Sequence, residues 1–260
     1  DNGIKVFSGD GYKLPDAHEI AIEQEIFALL QNPEAHVDSS FQPTPSLPGE
    51  GELRHAYIAW LAQNVSTDLS RLRVLVDCAH GAATVEAPDL FRRCRMQATF
   101  LSAAPDGKNI NESCGALHPE TLARAVAEKP GQFDLGVTFD GDADRALFCD
   151  ANGRVVNGDA VLLLAARDMK ARGALPGETV VATTMSNMGL EIALRNSGIR
   201  LLRANVGDKY VLDEMRKSGA VLGGGHSVAG TNMRFQLDPT INVSEEVRIR
   251  AQINALDNVV

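Results

Sequence analysis

Apolar residues recur along the chain in two different rhythms. Between Leu14 and Gln31, the residues Ile20, Ile22, Ile26, Phe27, Leu29 and Leu30 fall mainly at helical spacing, with Asp16 and Glu19 near the start, which predicts an amphipathic helix. Pro33, Pro43, Pro45, Pro48, Gly49 and Gly51 then stand among Ser and Thr, marking a linker and a domain boundary. From Leu53, helical and strand-like runs alternate. A helix over 53–65 leads to a short apolar strand (72–76), a turn (77–82) and a helix (84–95). A strand (96–101), a turn (105–111), a helix (119–128) and a strand (135–139) complete this unit. After Gly158 the alternation repeats, with helices over 159–172, 188–196 and 209–217 separating strands over 179–183, 199–204 and 221–222. Strands separated by helices pair in parallel through right-handed crossovers, and helices then cover both faces of the sheet. The pattern therefore predicts an α/β chain of two tandem three-layer α/β/α sandwiches with mainly parallel sheets. The stretch from Pro239 onward has no clear period.

Composition narrows the classes of partner. The 260 residues are 44% hydrophobic and 23% charged, which supplies real cores and excludes disordered and fibrous classes. A net charge of −9, from 25 basic and 34 acidic residues, leaves no basic field for a phosphate backbone and argues against a nucleic-acid partner. No apolar run approaches the roughly 18 residues of a membrane span; Ala160 to Ala166 is far too short. The opening Asp1-Asn2-Gly3-Ile4-Lys5 has no signal-peptide pattern and no initiating Met, so the chain is expected to start inside a longer polypeptide or to have been processed. Cys78, Cys94, Cys114 and Cys149 form no CxxC pair and read as reduced thiols of a cytoplasmic protein. In that compartment the Asn-x-Ser matches at Asn64, Asn111 and Asn242 carry no sugar.

The sharpest chemical feature is Thr138-Phe139-Asp140-Gly141-Asp142-Ala143-Asp144-Arg145, directly after a predicted buried strand. Three carboxylates at alternate positions of an extended loop fall on one side and repel one another. A hard divalent cation relieves that repulsion, and an all-oxygen set suits Mg²⁺. A plain solvated acidic turn is the bland alternative. A calcium hand is excluded, because Arg145 and Ala151 stand where its loop needs Gly and Glu. Arg145 either pairs with the acidic cluster or, beside a cation, grips phosphate oxygens.

Four other loops are less specific. Residues 105–111 read as a connecting turn. Asp77-Cys78-Ala79-His80-Gly81-Ala82 ends a strand and opens a helix, where backbone N–H groups can meet an anion, and His80 is as well explained by turn capping. Residues 183–189 and 206–210 follow strands and precede helices; each is either a ligand-binding edge or a helix N-cap.

In order and spacing, DNGIKVFSGDGYKLP, VDCAHGAA, PDGKNIN, FDGDADR, TTMSNMGLE and NVGDKYV resemble the bacterial phosphoglucosamine mutases of the α-D-phosphohexomutase superfamily over residues 1 to about 224. DGDxDR carries the superfamily resemblance, and the last two motifs favour the glucosamine members over the phosphomannomutase and phosphoglucomutase members. The resemblance implies an isomerase that interconverts glucosamine 6-phosphate and glucosamine 1-phosphate on the way to peptidoglycan precursors, by way of a phosphoserine and a bisphosphate sugar. It implies Mg²⁺ held by Asp140, Asp142 and Asp144 with a phosphoserine oxygen, Arg145 near the transferring phosphoryl group, and Lys5 beside the phosphoserine. Gly207 and Asp208 match the substrate rim, and Ser227 matches a residue of the sugar-reading Gly-Gly-Glu-x-Ser-Gly-His motif. A phosphorylated amino sugar is the implied partner, with a homodimer in full-length members. The implied division is the end of domain 1 with its linker (1–46), domain 2 (47–150), domain 3 (151–238) and an unassigned tail (239–260).

This sequence also departs from the pattern. The phosphoserine loop of the family lies just before the segment that matches residue 1, and no phosphate-binding loop of the fourth domain follows Asp238. Gly225 and Ala229 stand where the sugar-reading motif has Glu and His. The stretch alone is therefore expected to be inactive, and a non-catalytic fragment that binds metal or phosphosugar is the alternative. A haloacid dehalogenase-type phosphatase also places Asp-x-Asp after an apolar strand, but it expects Thr or Val where Asp144 stands.

Overall fold

The computed structural model describes residues 6–31, 49–227, 230–235, 240–242, 248–250 and 253–255. Lys5 lies outside the described residues, as does most of the linker. Two compact units are present, one of Tyr57–Pro239 with Asp1 and Ala251–Val260, the other of Asn2–Ala56 with Thr240–Arg250.

In the smaller unit, helix α1 (Asp16–Leu30) falls where its apolar spacing predicts. None of its residues is buried; Phe27 and Leu30 are 62% and 68% exposed. Ile58 and Trp60 of helix α2 (Glu50–Gln63) are buried.

The larger unit holds two five-stranded sheets. The first contains β1 (Arg73–Asp77), β2 (Gln97–Leu101), β3 (Leu135–Phe139), β4 (Ala146–Asp150) and β5 (Val155–Val156), in the order β2-β1-β3-β4-β5. Strands β1, β2 and β3 are parallel, while β4 and β5 extend the sheet antiparallel. Alternate residues of β1 face opposite ways. Val74 and Val76 pack with Ala83, Ala87 and Phe91 of α3 (Ala83–Arg93). Leu75 packs with Leu122, Ala123 and Val126 of α4 (Pro119–Ala127). Helix, sheet and helix form the first sandwich.

The second sandwich repeats the plan. Helix α5 (Gly158–Ala171), β6 (Thr179–Thr183), α6 (Met188–Asn196), β7 (Arg200–Ala204), α7 (Asp208–Ser218) and β8 (Leu222–Ser227) follow in turn. A hairpin joins β8 to the antiparallel β9 (Gly230–Phe235). Strand β12 (Ile253–Ala255) closes the edge of the order β12-β9-β8-β6-β7, while β10 (Thr240–Asn242) and β11 (Arg248–Arg250), of the smaller unit, pair with each other in a separate two-stranded sheet. Val180 and Ala182 pack with Leu162, Ala166, Leu190 and Leu194 of α5 and α6. Val181 turns to Val211 and Met215 of α7. All five residues of β6 are buried, as a central strand covered on both faces requires. The two sandwiches match the predicted pattern, and β4, β5, β9 and β12 add antiparallel pairings that the pattern did not include.

Candidate functional site

The three parallel strands of the first sheet deliver their carboxyl ends to one edge, where open α/β sheets present ligand sites. Three loops meet there: residues 78–82 after β1, 102–118 after β2, and 140–145 between β3 and β4. Backbone bonds knit them together. The Cys78 and His80 amides donate to the carbonyls of Leu101 (3.1 Å) and Ser102 (2.6 Å), and the Asn111 amide donates to that of Ala79 (2.9 Å). The amides of Ala82 and Ala116 donate to the carbonyls of Gly141 and Phe139, each at 2.8 Å. Approach is so close that a Cβ on Gly81 would run into the Gly141 backbone, and one on Gly141 would meet Ile110 and Asn111. Left-handed backbone at non-glycine residues concentrates in the same loops: Ala79 (φ 54°), His80 (53°), Ser102 (48°), Asn111 (57°), Ser113 (54°) and Ala143 (57°). Such conformations cost free energy and persist where the surroundings over-determine them, often at functional sites.

Within the 140–145 loop, Asp140, Asp142 and Asp144 each bring a carboxylate oxygen within 4.8 Å of the others. Asp140 is only 3% exposed. It accepts from the Arg145 amide at 3.0 Å, and its other oxygen lies 3.0 Å from Arg145 Nε. Arg145 Nε also lies 3.5 Å from an Asp144 oxygen. Burial, and then the charges of Asp144 and Asp142, push the Asp140 carboxyl up from 3.8 to about 7, against the pull of the Arg145 amide and guanidinium. For Asp140, burial and the two neighbouring carboxylates outweigh the pull of Arg145. The donor set, three carboxylates offering hard oxygens, fits a divalent cation such as Mg²⁺. The four residues singled out from the sequence around this loop thus come together.

The remaining sequence candidates sit on the second sandwich, apart from Lys5. Gly207 (φ 129°) caps the start of α7 after β7, where a Cβ would press on the Tyr210 ring. Asp208 is 6% exposed and its Oδ1 accepts from the Lys209 amide at 2.7 Å. Ser227 ends β8, paired with Gly230 across the hairpin. Gly225 of the same strand lies so close to Thr183 that a Cβ would stand 2.8 Å from its Cγ2.

Two of the loops left open carry the capping and turn bonds that one of their readings requires. Asn187 caps α6 by accepting from the Gly189 amide at 2.7 Å, and its own amide donates to the buried Asp159 at 2.8 Å. His80 Nδ1 accepts from the Ala104 amide at 3.2 Å, so the ring holds a turn. Sequence reasoning missed Asp77, which is fully buried at the end of β1. An ionisable residue closing the apolar run Val74-Leu75-Val76 was the available signal. It also missed Arg203, which donates to the Thr183 and Ser186 carbonyls and to Glu191, bracing the 183–186 loop.

Comparison with known proteins gives concordant matches. Residues 55–153 match the family model described as phosphoglucomutase/phosphomannomutase, alpha/beta/alpha domain II, and residues 157–240 match domain III of the same family. A phosphoglucosamine mutase of Koribacter versatilis is 58% identical over 228 residues, covering 87% of this chain and 49% of its own length. One from Solibacter usitatus is 50% identical with the same coverage. Among solved structures, a phosphoglucomutase/phosphomannomutase family protein from Burkholderia thailandensis aligns with a TM-score of 0.61 at 26% identity, over 71% of this chain and 39% of that one. The chain spans about half the length of the curated relatives it matches.

Proposed function

The chain belongs to the phosphoglucomutase/phosphomannomutase family, and we propose that it is the central part of a phosphoglucosamine mutase, which interconverts glucosamine 6-phosphate and glucosamine 1-phosphate through a bisphosphate intermediate. The observation that carries this reading is the convergence of Asp140, Asp142, Asp144 and Arg145 at the sheet edge of a chain 58% identical to a phosphoglucosamine mutase. In the reading, the three aspartates hold Mg²⁺. The bound cation supplies charge neutralisation for a transferring phosphoryl group. Arg145, aimed by Asp140 and Asp144, holds phosphate oxygens, a task suited to a planar guanidinium. Lys5 assists proton transfer beside the phosphoserine of the complete enzyme. Gly207, Asp208 and Ser227 contact the sugar from the second sandwich.

The domain division that goes with this reading is 1–46, 47–150, 151–238 and 239–260, near the boundaries of the two matched family domains. A phosphorylated amino sugar is the substrate, the complete protein works in the cytoplasm as a homodimer, and nucleic acid is not a partner. Among the described residues no helix is long and apolar enough to cross a membrane.

The test is a coupled assay of glucosamine 1-phosphate formation by the full-length protein that carries this chain, with Mg²⁺ and catalytic glucosamine 1,6-bisphosphate. Turnover that Asp142→Asn abolishes supports the reading. Turnover of mannose or glucose phosphates alone would move the substrate class to the sister enzymes, and no turnover of any of them would leave a phosphosugar-binding protein.

A further inference from the structure

Asp77 is completely buried at the carboxyl end of β1, and among the described residues its carboxylate accepts hydrogen bonds from main-chain amides. Its Oδ1 accepts from the Ala79 amide at 3.0 Å and its Oδ2 from the Gly115 amide at 2.9 Å, tying together two loops 38 positions apart in sequence. Burying a carboxylate is costly unless charge-assisted hydrogen bonds compensate, and a simple turn at the end of a strand needs no such group. Both tethered loops are hydrogen-bonded to the main chain of the acidic loop and its approach. From Ala79 the chain passes through left-handed His80 to Ala82, whose amide holds the Gly141 carbonyl; from Gly115 it passes to Ala116, whose amide holds the Phe139 carbonyl. Gly115 (φ 78°) is wedged so tightly that a Cβ would stand 2.6 Å from Ala79 Cβ and 2.8 Å from the Phe139 carbonyl oxygen.

We propose that Asp77 is a positioning residue for the cation site: its carboxylate clamps the loops after β1 and β2, and these fix the main chain on both sides of Asp140. This rests on the reading of Asp140, Asp142 and Asp144 as cation ligands. Asp77 touches none of the three in the bonds described and acts through Gly141 and Phe139. An asparagine at 77 keeps the shape but supplies one carbonyl oxygen for two amide donors, so one loop is released and the ligands lose their preset spacing.

The experiment uses Mn²⁺ as a spectroscopic probe on the chain and on Asp77→Asn. Loss of a residue that supports metal ligands typically weakens binding 10- to 100-fold, and a weakening of about ten-fold is expected here. The electron paramagnetic resonance spectrum of the bound ion should broaden, while far-ultraviolet circular dichroism stays that of the parent. A residue with a merely structural role would lower the melting temperature of the cation-free protein and leave affinity and spectrum unchanged, and that result overturns the proposal. A second measurement needs no variant. Coupling between sites is reciprocal, so Mn²⁺, or Mg²⁺ for nuclear magnetic resonance, should slow hydrogen exchange at the amides of Ala79, Ala82, Gly115 and Ala116. Unchanged exchange at all four would equally overturn it. If the parent chain takes up neither ion, the cation-site reading itself falls and Asp77 falls with it, an outcome separate from equal binding by parent and variant.

Discussion

Asp140 is caught between opposing demands: burial and two neighbouring carboxylates favour its protonated form, while Arg145 favours the charged one. Its pKa in the folded chain is raised, to about 7 from 3.8, so the stability it contributes is fully present below 3.8 and is lost as pH rises through about 7. The cation-free chain should therefore lose stability from this group across that interval. A cation replaces the proton, so added Mg²⁺ should raise the melting temperature more at pH 8 than at pH 6. Equal shifts at both values would contradict this account. Asp142→Asn should weaken Mg²⁺ binding by calorimetric titration, because one of three charges opposing the ion disappears; unchanged affinity would remove Asp142 from the site. Asp134 shows the opposite sign. Its bonds from the Arg73 guanidinium and amide hold it down at about 2. Its contribution is present above 3.8 and is lost as pH falls through about 2. Denaturation midpoints followed from pH 5 to pH 2 should fall less steeply in Asp134→Asn than in the parent.

At the scale of elements, the sequence is most legible where one face of a helix or strand is buried. Leu190 and Leu194 recur at helical spacing in α6 and both face the second core. Leu194→Ala, at 0% exposure, should cost about 2–5 kcal/mol in urea unfolding, whereas Leu164→Ala, at 63% exposure, should stay within about 0.5 kcal/mol. Strands β4 and β5 escaped notice because a hairpin on a sheet already in progress leaves no helix between strands to announce it. Strand β5 has two residues, and alternate residues of β4 are only half-buried. The acidic loop was legible because three aspartates at alternate positions need an explanation in charge alone. The clamp beneath it was not, since Asp77 reaches Gly115 through space and no local pattern links positions 38 apart. Nor does sequence show that Ala79, His80, Asn111 and Ser113 adopt left-handed backbone, a conformation imposed by the converging loops and not by residue type. The apolar spacing of α1 correctly gave a helix but not its surroundings, for its isoleucines and leucines are exposed.

At the scale of the whole molecule, the two sandwiches divide the work differently. The described bonds that shape the acidic loop lie within 77–145: those of Asp77, of the loops around Gly81 and Gly115, and of Asp140 and Asp144 with Arg145. The cores behind it, around Val76 on one face and Leu75 on the other, draw their buried members from residues 74–149. Residues 55–153, the stretch matched as one family domain, thus contain β1 to β4 of the first sheet with α3 and α4, as well as the three aspartates, Arg145 and Asp77. The candidate sugar contacts Gly207, Asp208 and Ser227 belong wholly to the other sandwich. Cation binding should therefore separate from sugar binding when the chain is cut. Expressed alone, residues 55–153 should fold cooperatively and bind Mg²⁺ with an affinity within about three-fold of the full chain, because the three aspartates, Arg145 and Asp77 are all retained. Titration calorimetry on the two proteins provides the comparison. An affinity lost by ten-fold or more in a fragment that retains its circular dichroism would mean that residues of the second sandwich help to hold the loop, and would transfer part of the site to them.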